Sequence, residues 1–166
     1  MSTNAKPRVL IFSLAYFPLV GGAEIALKEI TDRLGSPTRS LDGAVGETVG
    51  APTHFGVGVD FDLITLRFGG NHVSHEVMGN VDVYRIIGGK ITYPLKAMLL
   101  ARKLHKQKGY NIIWSIMAAY AGFGALFFKL LYPRVPMLLT LQEGDSEKHI
   151  LKRVGIFYPL WKQIFK

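Results

Sequence analysis

Short apolar runs alternate along this chain with longer stretches in which apolar residues return at every third or fourth position. Val9 to Phe12 form an apolar, partly β-branched run, too short for a helix and typical of a strand covered on both faces. The same reading predicts strands near 8–14, 62–67, 81–87, 111–115 and 136–141. It predicts helices near 22–34, 94–107, 118–131 and 146–154, with another starting around 156. In the first helix Ala23, Ala26, Leu27, Ile30 and Leu34 recur at helical spacing, and Gly35 stands where a C-terminal cap belongs. Pro94 opens the second helix. Lys103, Lys106 and Lys108 crowd its end ahead of Gly109, so both ends suit the helix dipole.

Repeated strand–helix alternation predicts an α/β fold: a Rossmann-like, doubly wound parallel sheet with helices on both faces. Ligands of such sheets bind at the carboxyl ends of the strands, beside the topological switch point. With strand order 3-2-1-4-5, the first and fourth strands flank that crevice. The loops around Pro18–Glu24 and Met117–Gly122 then form its walls, and Gln142–Ser146 lies next to it. Ser36 to Val59 breaks the pattern. It is rich in Gly, Pro, Ser and Thr without helical or strand period, and it reads as a flexible insertion at 36–59. Within it Gly43-Ala-Val-Gly-Glu-Thr48 lacks the lysine that a phosphate-binding loop requires. Gly109 to Phe128 carries no charge, but Asn111, Ser115, Gly122 and Gly124 dilute it. It reads as a strand followed by a separate helix rather than a membrane span.

The 166 residues suit one domain with a real core. A net charge of +8 favours an anionic partner. The chain has no cysteine, which excludes disulfides and thiolate metal sites. Met1-Ser-Thr-Asn-Ala-Lys-Pro7 lacks the apolar core of a signal peptide, so a cytoplasmic location is expected. His72-Val-Ser-His75-Glu76 departs from the zinc signature His-Glu-x-x-His and is read as loop, and no serine elbow occurs. No metal site and no covalent nucleophile is expected.

Three groups of residues carry candidate chemistry. Gly21 and Gly22 follow the first strand and open the first helix, where backbone N–H groups can approach a phosphate or sugar that a Cβ would obstruct. The alternative is a tight turn into the helix. Glu24, in the first turn, either bonds a ligand hydroxyl or favours the dipole. Gln142, Glu143 and Asp145 follow the fifth strand, where an amide can hold a sugar hydroxyl and a carboxylate can accept its proton. Asp145 and Ser146 can equally cap the next helix.

Basic residues gather at Lys96, Arg102, Lys103, Lys106 and Lys108, and again at Lys148, Lys152, Arg153, Lys162 and Lys166. Phe157, Tyr158, Trp161 and Phe165 interleave with the second set. A cationic, aromatic-bearing surface suits an anionic bilayer; the alternative is a solvated helix face with its apolar residues packed inward. No nucleic-acid-binding module stands behind the charge, so nucleic acid is not an expected partner.

Arg8-Val-Leu-Ile-Phe-Ser-Leu-Ala-Tyr-Phe-Pro with Gly21-Gly-Ala-Glu24, then Asn111-Ile-Ile-Trp-Ser115, then Pro136-Met-Leu-Leu-Thr-Leu-Gln142 occur in an order that resembles the N-terminal half of a family 4 glycosyltransferase of GT-B fold. The resemblance spans nearly everything except Ser36–Val59. It implies one acceptor-binding, Rossmann-like half of a two-domain enzyme, whose glycine loop approaches the donor diphosphate. Gly21 and Gly22 match that loop and Glu24 the acid beside it. Gln142 falls where many members carry a histidine lining the sugar site, and an amide there would hold a sugar hydroxyl. The family transfers a hexose from a nucleotide-sugar co-substrate without a metal or other cofactor. The expected partners are a glycan or lipid-linked sugar acceptor of the cell envelope, a donor-binding domain in cis or in trans, and an anionic membrane surface. The expected location is therefore peripheral, at the inner face of the membrane. Residues 1–166 read as the acceptor-side domain, incomplete at its C-terminus and without the donor domain, hence inactive alone. Two further readings remain: a non-catalytic, membrane-associated subunit of a split transferase, and an unrelated Rossmann-like nucleotide-binding module.

Overall fold

The computed structural model describes residues 6–35, 58–69 and 72–141. Six strands and three helices follow one another as β1 (Arg8–Phe12), α1 (Gly22–Leu34), β2 (Asp60–Leu66), β3 (His75–Met78), β4 (Val81–Ile86), α2 (Tyr93–Lys108), β5 (Ile112–Ile116), α3 (Tyr120–Leu131) and β6 (Met137–Thr140) among the described residues. They make one sheet of order β3-β4-β2-β1-β5-β6. Every pairing is parallel except that of β3 with β4. The chain has an α/β fold of Rossmann-like character.

Alternation within the strands divides the core in two. Leu10, Phe12, Ile64 and Ile113 face α2 and α3, meeting Ala97, Ala101, Ala125 and Phe128. Val9, Ile11, Leu63, Val83 and Trp114 face the other way, toward Ala23 and Leu27 of α1. Where α2 meets α3 the packing is close enough that a Cβ on Gly124 would sit 3.3 Å from Phe12 Cδ1 and 3.4 Å from Ala97 Cβ.

The five strands expected from the sequence occur in the expected order, and the uncharged stretch is divided between β5 and α3. Among the described residues no helix is long and apolar enough to cross a membrane. Two expectations are corrected. His75 and Glu76 are not loop: they begin β3, which pairs antiparallel with β4 at the sheet edge. In α1 the buried stripe is Ala23, Leu27 and Thr31, whereas Ile30 and Leu34 are exposed. Thr31 enters the core because its hydroxyl donates to the carbonyl of Leu27 at 3.0 Å. The expected helices at 146–154 and from 156, the C-terminal basic and aromatic residues, and 36–57 of the expected insertion lie outside the described residues.

Tyr16, buried beside α1, has its hydroxyl pushed up to about 12, chiefly by burial and further by Asp32. A phenol raised above its unfolded value near 10 binds its proton more tightly when folded. Its stabilising contribution is therefore intact below about pH 10 and is lost as pH rises to about 12, at roughly 1.4 kcal/mol per pH unit. Urea melts between about pH 9 and 12 are expected to show that decline, and Tyr16→Phe is expected to lessen it without abolishing it, because burial raises the Tyr93 and Tyr110 hydroxyls in the same sense.

Candidate functional site

A cleft of about 300 Å³ opens at the carboxyl edge of the sheet, where β1 and β5 lie side by side and their chains leave for helices on opposite faces. Ser13, Leu14 and Ala15 line it from the loop after β1, and Glu24 from the first turn of α1. Ile116, Met117, Ala119, Tyr120 and Ala121 line it from the end of β5 and the start of α3, and Lys90 comes from the loop after β4.

The loop after β1 is held by groups from three other strands and helices. Tyr93, fully buried at the start of α2, donates to the carbonyls of Ser13 at 3.1 Å and Ile64 at 2.8 Å. Burial raises the Tyr93 hydroxyl far above the ordinary tyrosine value, so it remains a donor. The Leu14 carbonyl accepts from the Thr65 hydroxyl at 3.1 Å and from the Leu66 N–H at 3.2 Å. The Phe17 carbonyl accepts from the buried Arg85 guanidinium at 2.6 Å. Arg85 is itself held by Glu76 of β3, at 2.8 Å from its Nε.

At the helix start, Gly21 is the N-cap and its N–H donates to Glu24 Oε2 at 2.8 Å. One of the donors expected for a phosphate is thus used inside the protein, and Glu24 caps its own helix while facing the cleft. The backbone of Gly21, at φ −127° and ψ −177°, is open to any residue, so the turn does not demand glycine there. A Cβ at Gly21 would lie 2.8 Å from Glu24 Oε2, so the carboxylate, the end of a flexible side chain, would have to shift from its capping position. A Cβ at Gly22 would meet nothing within 4 Å, which leaves its exposed backbone open to approach. Neither glycine is among the residues that line the cleft, whereas Glu24 is.

The opposite wall carries backbone strain. Met117 has φ 70°, the left-handed region that an unbranched side chain other than glycine enters at a cost of about 1 kcal/mol or more. It is fixed there by its N–H on the Thr140 carbonyl at 2.9 Å and its carbonyl on the Ser115 hydroxyl at 3.2 Å. The chain then enters α3 at Ala119, an N-cap that makes no side-chain capping bond. The N–H groups at the start of α3 therefore point their dipole toward the cleft. Lys90 adds a positive charge from a loop braced by Thr92, whose hydroxyl accepts from the Gly89 N–H at 3.1 Å, and by Lys96, which donates to the Ile87 carbonyl at 2.7 Å.

A carboxylate, an ammonium group and the N-terminal end of a helix thus converge on one cleft. Such a set can hold a hydroxyl-bearing ligand with an anionic group. Of the walls expected at Met117–Gly122 and Pro18–Glu24, Met117, Ala119, Tyr120 and Ala121 line the cleft from the first and only Glu24 from the second. Gln142, Glu143 and Asp145 lie outside the described residues, past the end of β6. Lys90 and Arg85 were missed. A Gly-Gly-Lys run at the end of a strand was a visible signal for Lys90, and the inward step of the alternation Val81, Val83, Arg85 was one for Arg85. Among the described residues no group of three or more His, Asp or Glu side chains could hold a metal ion. Neither the protein-family models nor the curated proteins compared with this chain match it.

Proposed function

We propose that this chain is the acceptor-binding half of a GT-B glycosyltransferase of family 4, moving a hexose from a nucleotide sugar to a glycan or lipid-linked acceptor. The donor-binding domain is supplied in cis or in trans. The observation that carries the reading is the unit of strand, Phe-Pro and Gly-Gly loop, and helix that delivers Glu24 to a cleft at the sheet's switch point. In this role Glu24 accepts a hydrogen bond from an acceptor hydroxyl and orients it. Lys90 and the positive dipole end of α3 balance negative charge on the acceptor or on the donor diphosphate. The rigid tethers at Ser13, Leu14 and Phe17 hold the loop in place before the ligand arrives.

Titration calorimetry of the full chain against sugar phosphates, neutral disaccharides, ATP and NAD tests this reading. Binding of a phosphorylated sugar is expected, weakened about tenfold or more in Lys90→Gln and in Glu24→Ala. Glu24→Ala is also expected to cost about 1 kcal/mol or less of stability through its lost cap. Tight binding of ATP or NAD, with no response to sugar phosphates, would overturn the proposal in favour of a nucleotide-binding module.

A further inference from the structure

We infer that the outer face of α2, with the loop from Ile87 to Ile91 that leads into it, is a docking surface for an anionic lipid bilayer. No acidic residue stands between Arg85 and Glu143, whereas α1 alone carries Glu24, Glu29 and Asp32. On α2 the inward stripe is Ala97, Ala101 and Leu104, all buried. Leu95 and Leu99 are therefore not part of the core, and each is more than half exposed. At about 100° per residue, Leu95, Leu99, Arg102 and Lys106 fall on one narrow stripe, with Lys103 at its margin. Arg102, Lys103 and Lys106 are all exposed.

Ile87 and Ile91, at 67% and 71% exposed, add two aliphatic side chains from the loop that leads into the apolar end of this stripe. Lys96 secures that loop through the Ile87 carbonyl. Lys108 does not belong to the surface, because it is turned to Asp62 and Asp82. The result is a face with four exposed aliphatic side chains at one end and three cations at the other. A bilayer satisfies both halves: the aliphatics enter the boundary of headgroup and acyl chain, and the cations meet lipid phosphates. An acidic protein or a nucleic acid would use the cations and leave the aliphatics in water. Lys90 lies in the same loop, so docking brings the cleft mouth to the level of the headgroups.

The test uses the full chain in co-sedimentation with phosphatidylcholine vesicles, with and without phosphatidylglycerol, and does not depend on any sugar-transfer activity. Binding to the anionic vesicles is expected, falling as salt rises, with little binding to phosphatidylcholine alone. The triple change Arg102→Gln, Lys103→Gln and Lys106→Gln is expected to weaken it at least about tenfold. The double change Leu95→Ser and Leu99→Ser is expected to do the same while leaving the urea midpoint unchanged, since neither leucine is buried. Undiminished vesicle binding by either variant overturns the inference. So does a parent chain that binds an acidic polymer such as heparin but no anionic vesicle.

Discussion

Replacing Asp62 with alanine is expected to destabilise the protein by about 3 kcal/mol, read as a lower urea midpoint with an unchanged slope. Asp62 sits near the start of β2, at the edge of the sheet away from the cleft, with its side chain 7% exposed. Its Oδ1 accepts from Lys108 Nζ at 2.8 Å and its Oδ2 from the Tyr110 hydroxyl. Lys108 also reaches Tyr84 at 2.9 Å, and His75 closes the group through Asp82 at 2.9 Å. Burial raises the Asp62 carboxyl above the ordinary value although Lys108 and Tyr110 both act to lower it. Its ionised form is therefore not what gains most from folding. The cost of its loss comes from the partners it strands.

The Tyr110 hydroxyl would be left buried without an acceptor, a penalty of about 1–3 kcal/mol, and Lys108 would lose its closest counter-charge. Lys108, at 30% side-chain exposure, recovers part of that loss from water. Asp62→Asn keeps an acceptor for Tyr110 and is expected to cost less than Asp62→Ala. In a double-mutant cycle, Tyr110→Phe should remove much of the penalty from Asp62→Ala, because no hydroxyl is then stranded. Strict additivity of the two changes would show that the pair does not carry the effect. Ligand binding at the cleft is expected to survive in Asp62→Asn, since the cluster lies at the other edge of the sheet.

Arg85→Met is expected to cost about 2–3 kcal/mol and, unlike Asp62→Asn, to weaken ligand binding at the cleft. The Arg85 side chain is 3% exposed, on the inward side of β4. It binds Glu76 through Nε and Nη2, at 2.8 and 2.5 Å, and Nη2 also reaches the Phe17 carbonyl at 2.6 Å. A planar guanidinium turns Nε and Nη2 to the carboxylate as a rigid fork while Nη2 reaches the carbonyl, a geometry that a single ammonium nitrogen does not reproduce, so Arg85→Lys should recover only part of the loss. Glu76, at 32% side-chain exposure, can turn to water, which keeps the cost toward the lower end for a broken buried pair. Without Arg85 the loop from Ser13 to Gly21 loses its tether at the Phe17 carbonyl, and its position would fluctuate. Hydrogen exchange should then quicken at amides 15–24, and the affinity for a cleft ligand should fall about tenfold. If exchange quickens uniformly across the protein while the affinity holds, Arg85 acts on global stability alone.

Much of this arrangement is legible in the sequence because its signals are local. A strand buried on both faces needs an unbroken apolar run, as Leu10, Ile11 and Phe12 show with no exposed surface. The β3 strand left no such signal. His75 and Val77 are exposed while Glu76 and Met78 are half-buried, so it has no apolar face to read, and its existence depends on pairing with β4. In α1, hydrophobicity pointed to Ile30 and Leu34, but the inner stripe follows the spacing of Ala23, Leu27 and Thr31. A threonine whose hydroxyl is satisfied by its own helix can occupy that stripe, which hydrophobicity alone does not register.

The sequence by itself determined the class of fold and the parallel run of its strands, and, with the order 3-2-1-4-5 taken for such a sheet, it pointed to the end where the cleft lies. These follow from alternation of strand and helix and from where each apolar run stops, both written within a few neighbouring residues. Only the tertiary structure decided which groups meet in the cleft and what holds them. Arg85 reaches Phe17 across 68 residues of chain, and Lys90 joins Glu24 and Met117 from a different strand's loop. The left-handed backbone of Met117 depends on a hydrogen bond from β6. Contacts between loops so far apart in sequence are set by how the sheet brings strand ends together. Glu24 reaches the cleft from a unit written in neighbouring residues, whereas Arg85, Tyr93 and Thr65 hold the loop before it from elsewhere in the chain.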